Sequence, residues 1–214
     1  MVKTLKKRSW WLVWLVSALI MLSPSILVAE DNCFYLGVTG QITPFLSGDV
    51  GTGIDAPSYK DAFGTGWGVG LEGGYRFTEY FSAQVGVGYE RFSGSTAQGI
   101  CFDSLNVIPI YAGGKYHVLT TNCTWDPYLR FDLGAAHFGP VDTSFMGSRG
   151  NYWDPSWAFL ADAGAGIEYH MAPFGIFAEV KARYLGSPSS AMSPLSDADS
   201  SWTLPVNLGL RYYF

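Results

Sequence analysis

Residues 202–214 read WTLPVNLGLRYYF, and their alternation decides the fold. Trp202, Leu204, Val206, Leu208, Leu210, Tyr212 and Phe214 share one parity, and all seven are apolar. Thr203, Pro205, Asn207, Gly209, Arg211 and Tyr213 occupy the other. Successive side chains on a β-strand point to opposite faces. The segment therefore reads as a strand lying between an apolar and a polar medium.

The same split recurs upstream. Phe34, Leu36, Val38 and Ile42 oppose Tyr35, Gly37, Thr39 and Gln41; Trp67, Val69, Leu71 and Tyr75 oppose Gly68, Gly70, Glu72 and Arg76. Further strands are predicted over 81–90, 105–118, 128–136, 157–169 and 174–184, giving eight in all. In 105–118, Leu105 and Val107 fall on the polar parity and fit it badly. The connectors alternate. Long ones cover 46–64, 92–103, 138–156 and 186–200, and short ones cover 78–80, 119–126 and 170–173. Long loops on one side and tight turns on the other predict an eight-stranded antiparallel up-and-down transmembrane barrel.

Alternation alone does not say which face meets lipid, since a soluble barrel turns its apolar parity inward. Three features favour the membrane. The apolar parity carries rings at both strand ends, such as Trp67 with Tyr75 and Trp157 with Tyr169, as two interfacial girdles require. The polar parity mixes glycine with charges of both signs, which a water-facing sheet seldom does. The chain also ends on the strand itself, at Phe214.

Composition agrees. Charged residues are 14% of the 214, against roughly 25% in an average soluble domain, and aromatics are 16%. Disorder and coiled coil are both excluded. With 13 basic and 18 acidic residues, nothing points to nucleic acid. At the N-terminus Lys3, Lys6, Lys7 and Arg8 precede an apolar run from Trp10 to Leu22, and Ala29 follows a stretch of small residues. Residues 1–29 are thus expected to be a cleaved signal peptide, the run being shorter than the ~20 residues of a spanning helix. The barrel domain is then 30–214, with nine basic and 18 acidic residues. No lipid-attachment motif precedes Cys33.

A signal peptide, eight alternating strands and a terminal aromatic strand ending in Phe resemble the small outer-membrane β-barrels of Gram-negative bacteria. That group includes outer membrane protein X, the opacity proteins and the membrane domain of outer membrane protein A. The resemblance covers all of 30–214 and implies a cell outer-membrane location with outer-membrane lipids and lipopolysaccharide as surroundings. It also implies that Leu210, Tyr212 and Phe214 form the signal read by the barrel assembly machinery. No periplasmic module is expected after Phe214.

By parity the lumen receives Glu72, Glu90, Asp132, Asp162, Glu168 and Glu179 together with Arg76, Lys115, Arg130, Lys181, Arg183 and Arg211. An eight-stranded barrel is wide enough only for side chains to fill it, and unpaired charges there are costly. Six acids and six bases predict a neutral plug. The many lumen glycines weigh the other way, since each leaves space that water can occupy.

Candidate chemistry is thin. Outer-membrane lipid A deacylases resemble this architecture and use a His-x-Ser pair, but His117, His137 and His170 are followed by Val-Leu, Phe-Gly and Met-Ala. The three are expected not to form one site, and no metal or cofactor is expected. Loop aspartates such as Asp49, Asp55, Asp61, Asp103, Asp142, Asp154, Asp197 and Asp199 read as solvated charge, with shared divalent cations the less favoured reading. Arg91 ends its strand on the lipid parity, where it can meet a lipid phosphate. Cys33 and Cys123 both fall on the periplasmic side, so a Cys33–Cys123 bridge is the candidate disulfide, while Cys101 lies opposite. The expected role is structural, or an interaction made by the surface loops with a partner the sequence does not name. A small-solute pore, a lipid A enzyme and a soluble secreted barrel are the alternatives, in that order.

Overall fold

The structure is a computed structural model that describes residues 33–51, 56–119, 124–145, 148–188 and 198–214. In chain order the elements are β1 (Cys33–Thr43), β2 (Phe45–Ser47), α1 (Tyr59–Ala62), β3 (Gly66–Arg76), β4 (Phe81–Phe92), β5 (Thr96–Ala97), β6 (Ile100–Phe102), β7 (Leu105–His117), β8 (Trp125–Phe138), β9 (Val141–Phe145), β10 (Ser148–Trp153), β11 (Ser156–Met171), β12 (Phe174–Leu185), β13 (Ser201–Thr203) and β14 (Val206–Tyr213). The expected signal peptide, Asp55, Cys123 and Asp197 lie outside the described residues.

Eight long antiparallel segments close on themselves: β1, β3, β4, β7, β8, β11, β12 and β13–β14. The last is broken at Leu204-Pro205, where proline cannot donate to a ladder. Closure is made by β1 on β14, in a register that sets Val38 opposite Leu210 and Gln41 opposite Asn207. Among the described residues no helix is long and apolar enough to cross a membrane.

The parity of the sequence becomes two surfaces. Val85 is 61% exposed and Leu208 63%, whereas Asp132 and Glu168 are fully buried. This inverts the usual distribution of a water-soluble protein, and it is what acyl chains outside a closed barrel require. Rings pair along both rims of the apolar band: Phe34 with Tyr75 (4.6 Å) and Trp125 with Tyr169 (4.8 Å) near the short turns, and Trp67 with Tyr89 (6.4 Å) and Tyr184 with Trp202 (5.4 Å) near the long loops.

The long connectors, expected as loops, carry structure of their own. Strands β10, β9, β6 and β5 form a second sheet in that order. Gln98 (φ 50°) and Gly99 (φ 80°) form the tight turn between β5 and β6, the left-handed pair favoured in two-residue hairpins. Ser58 caps the single turn α1, accepting from the Asp61 N–H and donating to its carboxylate at 2.7 Å. Arg149 bridges Asp103 and Asp142 (2.5 and 3.4 Å), so these two loop acids have a protein partner. Cys101 keeps a free thiol, 3.2 Å from the Thr96 hydroxyl.

Candidate functional site

The interior is occupied from one end to the other, in tiers of different chemistry. At the short-turn mouth four strands meet at one carboxylate. Asp126 Oδ2, on β8, accepts from Arg76 Nη1 of β3 at 3.1 Å and pairs with His117 Nδ1 of β7 at 2.7 Å. His170 Nε2 of β11 lies 3.5 Å away. A carboxylate only accepts, so His117 carries its hydrogen on Nδ1. In the neutral ring Nε2 is then an acceptor, and Ser82 Oγ of β4 donates to it at 2.9 Å. This is the connectivity of a nucleophile–base–acid triad. Ser82, His117 and Asp126 are all buried, and the cross-strand neighbours of Ser82 are Arg76 and Lys115. Arg76 is committed to Asp126 and to the turn carbonyls of Thr78 and Glu79, and Lys115 to Tyr35 and Glu72. Among the described residues, both cations that flank Ser82 are thus engaged with other partners.

The waist is built on two glutamates. Glu72 takes Lys115 (3.2 Å), Arg130 (3.0 Å) and Arg211 (2.7 Å). Glu179 takes Arg130 (3.1 Å), the Tyr128 hydroxyl (3.0 Å) and the Asn207 amide (3.0 Å). Arg211 also pairs with Glu168 and lies 3.7 Å above the Phe177 ring centroid. Asp132 accepts from Arg130 and, at 2.7 Å, from the Gln84 amide. One layer further up, Arg183 grips Asp162 with two nitrogens (2.8 and 3.0 Å), also meets Glu90, and shares Asp162 with Lys181 at 3.1 Å.

All twelve charges assigned to the lumen by parity are buried. Asp126, read from the sequence as part of a turn, is buried with them, so the interior holds seven carboxylates against six Lys and Arg side chains. The three histidines do not form one site: His117 and His170 converge on Asp126 at the short-turn mouth, and His137 stands apart, edge-on to Trp157 at 5.0 Å. Among the described residues no cluster of His, Cys, Asp or Glu is arranged to hold a metal ion. Arg91 donates to the Ser104 hydroxyl at 3.3 Å.

Above the charges the interior turns apolar. Leu105 stands directly opposite Phe92 and Val107 opposite Phe138; Leu160 and Leu185 join them in one buried cluster, to which the connectors add Phe45, Tyr59, Phe63 and Trp153. Phe45 sits 4.7 Å from Phe92 and 4.9 Å from Tyr59, which sits 5.7 Å from Trp153. Leu105 and Val107, the misfits of the sequence pattern, are inward because this end of the barrel has a core like that of a soluble protein. Burial beside Asp199 pushes the Tyr59 phenol well above the usual tyrosine range.

A closed eight-stranded barrel with an apolar exterior and a packed, ion-paired interior defines a bacterial outer-membrane barrel protein. A family model described as the outer membrane protein beta-barrel domain matches residues 15–214, and the chain belongs to that family. In fold it is similar to Neisserial surface protein A (TM-score 0.54, 18% identity, 86% of this chain and 100% of that one). It is likewise similar to the outer membrane protein OprG of Pseudomonas aeruginosa (TM-score 0.51, 13% identity, 86% of this chain and 96% of that one). No curated protein sequence matches it.

Proposed function

We propose that this protein is a non-conducting outer-membrane barrel that presents a rigid, β-structured loop domain at the cell surface for interaction with an extracellular partner. One observation carries the reading: two plugs of opposite chemistry, the ion-paired waist and the apolar core above it, fill the barrel along its axis. A solute would have to cross both. The connector after β1 is tied to the loop-side rim of the barrel through β2, which pairs with β13.

The same reading covers the other partners. Leu210 and Phe214 stand exposed on the lipid-facing side of the closing strand, where the assembly machinery can read them with Tyr212. Lipid and lipopolysaccharide surround the aromatic rims. No catalytic role is assigned to the buried serine, histidine and aspartate of the mouth. Planar bilayers doped with the purified mature protein test the proposal. The expected result is no unitary conductance above the bare-membrane background, and reproducible channel steps would overturn it.

A further inference from the structure

The packed waist has a gap between the ion pairs of Glu179 and the facing glycines Gly70 and Gly88. It is a cavity of about 10 Å³. Gly70 and Gly88 are opposite each other on β3 and β4, and a Cβ on either would press on Thr39 or Pro109 at 2.8 or 3.0 Å. The gap is therefore kept open by two residues that have no side chain to close it.

Three polar atoms on its wall are buried without a protein partner: Gln41 Nε2, Arg130 Nη2 and Asn207 Oδ1. They come from three different strands, β1, β8 and β14. Each belongs to a side chain whose remaining groups or position are otherwise fixed. Arg130 spends Nε on Asp132 and Nη1 on Glu72 and Glu179, so only Nη2 is left over. Asn207 donates its amide to Glu179 at 3.0 Å, which leaves its oxygen as an acceptor. Gln41 stands directly across the β1–β14 register from Asn207, yet the two side chains do not bond each other.

We infer that this cavity is a binding site for a single buried water molecule, held by Gln41, Arg130 and Asn207. The volume is that of about one water, and a buried water makes roughly three hydrogen bonds. The donor and acceptor inventory fits that ligand alone. A water accepts from Gln41 Nε2 and Arg130 Nη2 and donates to Asn207 Oδ1. A halide would face the Asn207 oxygen and the Glu179 carboxylate; a cation would face the Arg130 guanidinium. If the Gln41 amide is turned over, a water donates to its oxygen instead and all three groups stay satisfied, which no simple ion achieves. The water closes the last unpaired groups of the waist, so it belongs to the plug rather than to a path through it.

The test is water-selective nuclear Overhauser spectroscopy on the full mature protein in lipid nanodiscs, with the arginine and glutamine side chains labelled. The expected result is a cross-peak at the water frequency on the Gln41 Nε2 hydrogens and on the Arg130 Nη hydrogens, with the sign of a long-lived bound water. Asn207→Leu is expected to abolish both while the protein still shows heat-modifiable migration as a folded barrel. Should that variant fail to fold, Gln41→Leu is expected to abolish the cross-peak on the Arg130 Nη hydrogens. Absence of the cross-peaks in the wild type would overturn the assignment, as would their persistence in a folded variant. An anomalous peak between Arg130 and Gln41 in crystals soaked with bromide would replace water by an anion and overturn it too.

Discussion

Glu72 receives Lys115, Arg130 and Arg211 from three different strands. Removing its charge leaves three cations sharing the remaining acids in a space that water does not freely enter. Breaking such a buried network costs about 3–5 kcal/mol. Glu72→Gln is expected to lower barrel stability by that amount, read as a shift in the urea midpoint of refolded protein in liposomes; a shift below about 1 kcal/mol, the worth of an exposed pair, would show that the network is solvated. The interior glycines act at the same scale. A Cβ at Gly74 would sit on the Tyr35 ring, at Gly86 on Tyr111, at Gly166 on Tyr128 and at Gly209 on Phe177. Each large ring occupies the place a side chain would take, which lets four rings share one narrow barrel with the buried charges. The alternation puts these glycines inside, and the space expected at each is largely taken: Gly66 likewise meets the Phe92 ring, Gly113, Gly134 and Gly164 meet backbone of the neighbouring strand, and Gly70 and Gly88 border the gap in the waist. Nothing local pairs Gly86 with Tyr111. That contact crosses from β4 to β7 and depends on register.

Each strand that reaches the loop side changes character along its length. The inward residues of β11 run from Ala158 and Leu160 to Asp162, and those of β12 from Leu185 to Arg183 and Lys181. Below the switch, lipid outside and charge inside make one parity apolar; above it, the apolar groups turn in, and the parity signal blurs. This is why 105–118 read as noisy, and why β5, β6, β9 and β10, too short to show a period, read as loop. The apolar tier is held by packing across connectors far apart in sequence. Trp153→Ala removes its largest fully buried side chain and is expected to cost the loop domain about 3–5 kcal/mol. Hydrogen exchange should then quicken in β6, β9 and β10, while amides of β1, β3 and β14 keep their protection; equal loss in both would show one cooperative unit. The Tyr59 phenol adds a pH limit. Its folded pKa is raised by burial and by Asp199, so its contribution is fully present below the unfolded value of about 10 and is lost as pH rises beyond it. Protease resistance of the loops should be flat from neutral pH to about 9 and fall above about 10, and Tyr59→Phe should lessen that fall.

For the molecule as a whole, stability rests on charges that salt does not reach. At about 0.15 M the screening length in water is about 8 Å, but the pairs of Glu72, Asp162 and Glu179 are buried and sit where mobile ions do not enter. The urea midpoint should therefore change little between low and molar sodium chloride, whereas a large drop would place the network in contact with solvent. Sequence by itself determined the strand count, the two faces, the outer-membrane class and the inward placement of the twelve charges, because each follows from a period-two pattern that every strand carries locally. Only the tertiary structure decided which charges meet, that Asp126 joins them and draws His117, His170 and Ser82 together, and that the loops build a sheet over an apolar core. Those outcomes depend on shear and register around a closed barrel, where partners stand up to 139 residues apart and no local pattern records the distance between them.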